Sequence, residues 1–424
     1  MDKRIYREYV AILKEELQPA MGCTEPIAVA YCAALARRTL GALPETVEVL
    51  ASANIIKNVK SVIVPNTNGQ RGIAAAAAAG IVSGNADAPL QVLASLTPEQ
   101  VDAVGAYLQQ AAFTVRRADK DYVFDIQVRV TAGADSASVE IAGYHTNVIR
   151  IEKNGVVQFH KDYQESGSQH ATDRSLLTVE QIIAFANEVD IADVQETLQR
   201  QIDYNWAIAE EGLRGDYGAN IGRILLQSYG MSIHNRAKAY AAAGSDARMN
   251  GCDLPVVINS GSGNQGLTAS LPVIVYAKEL GVTQQMLYRA LVVSNLVTIH
   301  LKTGIGSLSA YCGATAAGCG AAAGVTYLYG GQFREIAHTI VNAIAIDSGM
   351  ICDGAKASCA AKIASAVEAG LLGMQMQMHE SQFYGGDGIV VKGVENTIRN
   401  IGTLASEGMR ETDRTIIRMM IQEH

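Results

Sequence analysis

Residues 122–130 read YVFDIQVRV and residues 147–160 read NVIRIEKNGVVQFH, and the region that holds them decides the fold class. In each segment apolar and polar side chains alternate, which is the period of a β-strand with one buried face. SASVEIAG (136–143) repeats the alternation, and Asn154-Gly155 is a pair that two-residue hairpin turns favour. Consecutive strands joined by tight turns pair antiparallel. The region 121–160 therefore predicts a set of antiparallel strands.

The segments on the N-terminal side of these strands mix short strands with helices. TVEVLAS (46–52) and SVIVPN (61–66) predict strands, whereas the following RGIAAAAAAGIV predicts a helix that packs through alanine. Another helix is predicted from Thr97, which forms a capping-box pattern with Gln100. With the strands that follow, these segments predict an α+β unit.

The C-terminal part of the chain has the period of helices. TVEQIIAFANEV (178–189) and TQQMLYRALVVSNLVTIHLK (283–302) are the clearest examples, and nearly everything after Leu177 follows the same pattern. Residues 1–17 and 25–40 also predict helices. Because these two helices match the C-terminal part in character, we assign them to it.

The predicted fold class is accordingly α+β, with two domains in a chain of 424 residues. Residues 1–41 and 175–424 are expected to form a mainly helical catalytic domain. Residues 42–174 are expected to form an inserted α+β domain that contains the antiparallel strands.

Composition excludes several function classes. The formal net charge is −8, so we expect no nucleic-acid partner, which would usually require a basic stripe. Residues 303–333 carry no formal charge, but they are rich in Gly, Ala, Ser and Thr, so they predict a buried core helix rather than a membrane span. No signal-peptide pattern opens the chain. We therefore expect a cytoplasmic protein without a membrane partner, and a homo-oligomer stays open.

Cys23 stands in MGCTEP, where a helix is predicted to begin. A helix N-terminus lowers the pKa of a thiol and favours the thiolate, which is both the nucleophile and the metal ligand. On this reasoning Cys23 would lie at an exposed, electropositive corner. The alternative is a small side chain that merely precedes a helix cap.

Four of the seven cysteines form two pairs, Cys312 with Cys319 and Cys352 with Cys359, each seven residues apart. In a chain without a disulfide framework, clustered cysteines indicate zinc, an iron–sulfur cluster or catalysis. Seven residues of unbroken helix rise about 10 Å, too far to share one small site.

The segment CGATAAGC contains no strong helix breaker, so Cys312 and Cys319 are not both expected to be ligands. Cys319 is instead expected to be a buried core residue. CDGAKASC contains Asp353-Gly354, where the chain can turn and bring Cys352 and Cys359 together. Cys32 and Cys252 also read as core residues. Three cysteines and a distant fourth suggest a cluster with one open position, which gives Cys23 a partner.

Four segments together resemble the L-cysteine desulfidases, which are relatives of the α chain of iron–sulfur L-serine dehydratases: MGCTEP, NSGSGNQG, SAYCGATAAGCGAAAG and GMICDGAKASC. The resemblance implies one oxygen-sensitive [4Fe-4S] cluster per chain, held by Cys312, Cys352 and Cys359. It places the catalytic cysteine on Cys23, as a displaceable fourth ligand or as an acid/base.

The implied reaction is the β-elimination of L-cysteine, a small amino-acid substrate, to pyruvate, ammonia and sulfide. In serine dehydratases the last two ligands are farther apart than here. This departure favours the desulfidase branch and keeps L-serine dehydration as the alternative.

NSGSGNQG (259–266) follows an apolar segment and precedes a predicted helix. Successive backbone N–H groups at such a turn bind anions, so the loop predicts a cradle for a substrate carboxylate. Its candidate residues are Ser260, Gly261, Ser262, Asn264 and Gln265. An ordinary glycine-rich connection is the alternative.

Three further substrate contacts are predicted. The resemblance makes Asn66 and Thr67, in the polar turn VPNTNG, contacts from the inserted domain, although a hairpin-type turn explains them as well. Lys302, at the end of a predicted helix, is a candidate for the substrate carboxylate.

Two other functions stay open. A pyridoxal-phosphate enzyme could run the same elimination, with GSGNQG around the phosphate and Lys57 as the Schiff base, but it would leave the cysteine spacing unexplained. A redox or amino-acid sensor could use the cluster to report oxygen or a ligand without turnover.

Overall fold

The computed structural model describes residues 1–120, 122–164, 171–306 and 309–421. Within these ranges the chain forms 16 α-helices, a six-stranded sheet and a two-stranded sheet. The predicted α+β fold class is confirmed.

The six-stranded sheet has the strand order β3-β2-β4-β5-β6-β7. Strands β2 and β3 are parallel, and the other neighbours are antiparallel, as the alternation predicted. Asn154 and Gly155 have φ of +51° and +76°, the left-handed pair that a tight hairpin requires between β6 and β7. The strands are β2 (Thr46–Ala51), β3 (Ala112–Arg117), β4 (Asp125–Ala132), β5 (Asp135–Ala142), β6 (Val148–Lys153) and β7 (Val156–His160).

The predicted strand at 61–66 is wrong. Ile63 makes only an isolated bridge to Arg71, and the chain then turns. Pro65 has no N–H to donate to a sheet, and Asn66 adopts a left-handed φ of +57°, so an extended ladder cannot continue through this segment.

One face of the sheet is covered by α2 (Thr24–Leu40), which packs against β4, β5 and α4 (Gly72–Ser83). A Cβ at Gly80 would overlap the carbonyl of Ala30, so glycine allows the two helices to approach closely. Two shorter helices, α3 (Ala53–Val59) and α5 (Pro98–Gln110), lie in the connection from β2 to β3, and Thr97 and Gln100 form the predicted capping box.

Helix α2 shares its hydrophobic core with the sheet, whereas α1 (Lys3–Glu16) belongs to the core of the helical part. The two-domain division stays a prediction. The packing of α2 would assign residues 24–40 to the domain that contains the sheet, because the apolar side chains from Ile27 onward are buried in the same core as the strands.

The central helix of the helical part is α12 (Gly313–Leu328), which lies in the uncharged segment 303–333 that is rich in glycine and alanine. It packs against α10 (Gly263–Leu280), α11 (Gln284–Ile305) and α14 (Cys359–Met378). A Cβ at Gly318 or Gly320 would overlap atoms of a neighbouring helix. Strands β1 (Pro19–Met21) and β8 (Pro255–Val257) pair antiparallel, and β8 packs against α7 (Gln195–Arg214) and α10. The helices are α6 (Val179–Glu188), α7 (Gln195–Arg214), α8 (Ile221–Tyr229), α9 (Ile233–Met249), α10 (Gly263–Leu280), α11 (Gln284–Ile305), α12 (Gly313–Leu328), α13 (Phe333–Ile346), α14 (Cys359–Met378), α15 (Val394–Thr403) and α16 (Arg410–Ile421).

The side chains on α12 from Ala314 to Leu328 are buried, as expected of a core helix. Among the described residues, none of the helices combines the length and the apolar character needed to cross a membrane.

Candidate active site

Four helices begin at one cavity of about 1120 Å³ between the sheet layer and the helical part. Cys23 precedes α2, Ser262 precedes α10, Cys312 precedes α12, and Cys359 is the first residue of α14. Helix N-termini carry unpaired N–H groups and partial positive charge. Their convergence makes this cavity suited to anionic groups.

A short antiparallel contact places Cys312 beside Cys352. The backbone N–H of Cys312 donates to the carbonyl of Met350 at 2.8 Å, and the N–H of Cys352 donates to the carbonyl of Ala310 at 2.7 Å. Cys359 follows after a turn at Gly354, whose φ is +95°. A Cβ at Gly354 would overlap the Lys57 carbonyl, so this turn requires glycine.

The three thiols line the cavity with Cys23 and are free of disulfide bonds. A hydrogen bond from the Cys312 thiol lowers the pKa of Cys352 below its usual value, helped by the charge of Lys57. The same hydrogen bond raises the pKa of Cys312, and burial raises the pKa of Cys359. The thiolate is thus favoured at Cys352, and a bound metal would deprotonate the other two thiols.

This donor set fits a cluster better than a single ion. In the described part of the chain, no three His, Cys, Asp or Glu side chains converge closely enough to hold one metal ion. A cubane cluster takes each thiolate on a different iron, so its ligands need not meet at one point. Cys312, Cys352 and Cys359 could therefore hold a [4Fe-4S] cluster.

The environment of the Cys23 thiol differs from the exposed one that the sequence predicted. Cys23 is only 2% exposed, and its thiol donates a hydrogen bond to Glu25 Oε2 at 3.1 Å. Burial, and then the Glu25 charge, raise the pKa of Cys23 well above its usual value. The predicted exposed thiolate is wrong because these two effects outweigh the helix N-terminus. Cys23 lies in a small apolar cluster with Val62 and Met249, and Cys359 packs against this cluster.

The glycine-rich loop lies between the cysteines and α9. Gly263 adjoins Arg248 so closely that a Cβ there would overlap the Arg248 guanidinium, and a Cβ at Gly313 would overlap the side chain of Gln265. Ser260 has a left-handed φ of +49°. All five predicted loop residues line the cavity, namely Ser260, Gly261, Ser262, Asn264 and Gln265.

A buried amide network anchors this loop to the helical core. Asn259 Nδ2 donates to Asn295 Oδ1 at 2.9 Å, and the side chains of Asn295 and Gln201 exchange two further hydrogen bonds. All three residues are fully buried. Satisfied networks of this kind rigidify a site.

Comparison with known proteins identifies the family of the chain. The family model described as serine dehydratase alpha chain matches residues 87–418. The chain belongs to the serine dehydratase alpha chain family. This membership indicates a lyase of the serine dehydratase type.

The sequence similarity to individual relatives covers nearly the whole chain. A UPF0597 protein of Desulfitobacterium hafniense is 57% identical over 99% of this chain and 98% of its own length. UPF0597 proteins of Lachnoclostridium phytofermentans and Treponema denticola are 49% and 44% identical, and they cover 98% and 100% of this chain and 100% of their own lengths.

Not every predicted site residue of this serine dehydratase relative reaches the cavity. As far as the structure describes its lining, Asn66 and Thr67 are not part of it. Asn66 Nδ2 donates to the carbonyl of Leu93, and Thr67 Oγ1 donates to the carbonyl of Val64. These bonds account for both residues as parts of a turn.

Cys32, Cys252 and Cys319 are buried, and the described lining of the cavity does not include them. Lys302 does line it, donates to the carbonyl of Gly306, and has its pKa lowered to about 8 by burial.

The lining residues that sequence reasoning missed include Glu25, His145 and Arg248. His145 lies in the connection between β5 and β6, and no described residue forms a hydrogen bond with its Nε2. Its Cε1 lies 3.5 Å from the position of a Cβ on Gly261, so the imidazole faces the glycine-rich loop. A lone histidine between two strands carries no motif that could have identified it.

Proposed function

We propose that this protein is an iron–sulfur-dependent lyase that converts L-cysteine to pyruvate, ammonia and sulfide by β-elimination. The observation that carries the proposal is one cavity lined by Cys312, Cys352, Cys359 and Cys23 together with the glycine-rich loop. Family membership supports the reaction class. The cysteine substrate rests on the resemblance drawn from the sequence.

Cys312, Cys352 and Cys359 would hold the [4Fe-4S] cluster. When bound, it would supply an iron with an open position that acts as a Lewis acid. The N-termini of α12 and α14 favour the negative charge of thiolates at this place.

Elimination requires a base for the Cα proton. We assign this role to His145 Nε2, which forms no hydrogen bond with a described residue and faces the loop. Burial lowers the pKa of His145, so its imidazole is neutral and able to accept a proton. The nearby charges of Glu25 and Arg248 act on the His145 pKa in opposite directions.

Departure of the β-substituent requires an acid. Cys23 is protonated and buried, so its thiol can give a proton to the leaving sulfur as the Cβ–S bond breaks. The Cα proton passes to His145, and the substrate sulfur leaves as hydrogen sulfide with the proton from Cys23. Proton exchange with water then removes the proton from His145 and returns one to Cys23. The aminoacrylate that remains then reacts with water to give pyruvate and ammonia. The alternative role of Cys23 is that of a displaceable fourth ligand, and Cys359 packs against the apolar cluster that contains Cys23.

L-Serine dehydration is the second candidate, because the matched family is described as the serine dehydratase alpha chain. The same residues would act, and water would leave instead of sulfide. The pyridoxal-phosphate alternative is weaker, since Lys57 is ion-paired with Asp413 at 2.5 Å and is not poised to form a Schiff base.

The test is an assay of anaerobically purified protein for iron, acid-labile sulfide and pyruvate formation. We expect about four irons per chain and pyruvate from L-cysteine in excess of that from L-serine. A preference for L-serine would reassign the substrate. Active protein with a borohydride-trapped lysine and no iron would establish the pyridoxal-phosphate alternative. Ligand binding without pyruvate would establish the sensor.

A further inference from the structure

Arg248 is a buried cation that forms no ion pair within the described part of the chain. It stands at the end of α9, lines the cavity and is 3% exposed. Its Nη1 donates to Asn264 Oδ1 at 2.9 Å, while its Nε forms no hydrogen bond with any residue that the structure describes. No ion pair joins it to a carboxylate in the described ranges. A buried, unpaired charge is costly, so the site is complete only with an anion beside the guanidinium.

The other buried cations in the described lining of the cavity have partners within the protein. Lys57 is ion-paired with Asp413, and Arg174 is ion-paired with Glu16. Lys302 donates to the carbonyl of Gly306. Arg248 is therefore the guanidinium that an incoming carboxylate would meet.

Glu25 is the complementary group in the same cavity. It stands in the first turn of α2 and is partly buried. Its carboxylate accepts hydrogen bonds from the Cys23 thiol, the Thr24 hydroxyl and the Asn58 amide, which are neutral donors. In the part of the chain that the structure describes, no cation forms an ion pair with it.

The Glu25 carboxylate and the Arg248 guanidinium line the same cavity but do not form an ion pair. Both Glu25 and Arg248 lie near enough to Cys23 and to His145 to shift the pKa of each. They nevertheless form no ion pair with one another. A ligand with a negative and a positive group close together would satisfy both at once, and an α-amino acid zwitterion has this charge pattern.

We propose that Arg248 and Glu25 form a zwitterion clamp, in which the guanidinium binds the α-carboxylate and the Glu25 carboxylate binds the α-ammonium. The inference rests on the proposed function, since it defines the substrate class of that same site. The clamp holds Cα between α9 and the start of α2, next to His145 and Cys23. It selects for α-amino acids and against hydroxy acids and amines of the same shape.

The experiment measures binding rather than turnover, with L-alanine as the probe because it has no β-leaving group. L-Lactate replaces the ammonium by a hydroxyl, and L-alaninamide replaces the carboxylate by an amide. Isothermal titration calorimetry on anaerobic full-length protein should give wild-type L-alanine binding at least about tenfold tighter than that of either analogue, since each lost contact involves a charged group.

Two neutral variants separate the two halves of the clamp. Arg248→Gln should weaken L-alanine binding at least about tenfold and abolish the preference for L-alanine over L-alaninamide. Glu25→Gln should abolish the preference for L-alanine over L-lactate while it keeps an oxygen that accepts hydrogen bonds. Arg236→Gln is the matched control, because Arg236 lies on α9 but pairs with Glu279 away from the cavity. Its binding should equal wild type.

Wild-type affinity that does not distinguish L-alanine from L-lactate and L-alaninamide would overturn the clamp, as would preferences that survive in both variants. If Arg248→Gln fails to fold, Arg248→Lys replaces it and should keep a weakened preference for the carboxylate. Pyruvate formation with unchanged variant binding would refute the clamp alone. Selective zwitterion binding without turnover of any amino acid would refute the proposed function alone.

Discussion

Replacing Cys23 by alanine separates a catalytic role for this thiol from a structural one. The thiol is buried and donates one hydrogen bond to Glu25, which keeps its bonds from Thr24 and Asn58 in the variant. Loss of that bond should therefore cost only about 1 kcal/mol of folding free energy. Because Cys23 is not one of the three proposed cluster ligands, Cys23→Ala should retain the iron.

Turnover should respond differently from stability. If Cys23 gives a proton to the leaving sulfur, its loss should lower pyruvate formation by roughly 10²- to 10⁴-fold. Cys23→Ser should keep a trace of activity, since a hydroxyl still forms hydrogen bonds but ionises poorly. The assay pairs iron content with anaerobic pyruvate formation, with circular dichroism as the check on folding.

The matched control is Cys319→Ala, which removes a buried thiol that does not line the described cavity. It should keep both the cluster and the turnover. Near-normal pyruvate formation by Cys23→Ala would refute the proton-donating role of the thiol. Cys23 would then be a residue that only precedes a helix. Loss of iron in Cys23→Ala would instead make it a required ligand.

Three further outcomes are expected. Alanine at Cys312, Cys352 or Cys359 should abolish cluster assembly, measured as iron and acid-labile sulfide, and retention of a full cluster in any of them would contradict the ligand set. His145→Gln should keep the iron but lower pyruvate formation by about 10²- to 10⁴-fold; because burial lowers the pKa of His145, wild-type activity should persist as pH falls to about 6.5, the usual histidine value, and decline below it. Asp413→Asn should leave Lys57 buried without its anion and lower the free energy of unfolding by up to about 3 kcal/mol, and an unchanged melting temperature would show that the pair contributes nothing.

Local patterns in the sequence were sufficient for the secondary structure that positions the site. Alternation and Asn154-Gly155 predicted the antiparallel strands, and the structure confirms them. The turn predicted at Asp353-Gly354 is present, with Gly354 at a left-handed φ. These features depend on residues that are close in sequence, so they can be predicted from the sequence alone.

The failures occurred where packing overrides a local rule. A helix N-terminus lowers a thiol pKa, yet Cys23 has a raised pKa because the tertiary structure buries it beside Glu25. The consecutive β-branched residues Val62–Val64 are typical of a strand, yet Pro65 and the left-handed Asn66 turn the chain. In both places a contact or backbone constraint outweighs the pattern.

What the sequence by itself determined, then, is the fold class, the helix that begins after Cys23, and the turn between Cys352 and Cys359. Only the tertiary structure brought Glu25, His145 and Arg248 to one cavity. These three residues come from a helix start, a strand connection and a helix end, more than one hundred positions apart from one another. No local period links such positions, because their proximity arises only when the sheet layer packs against the helical part.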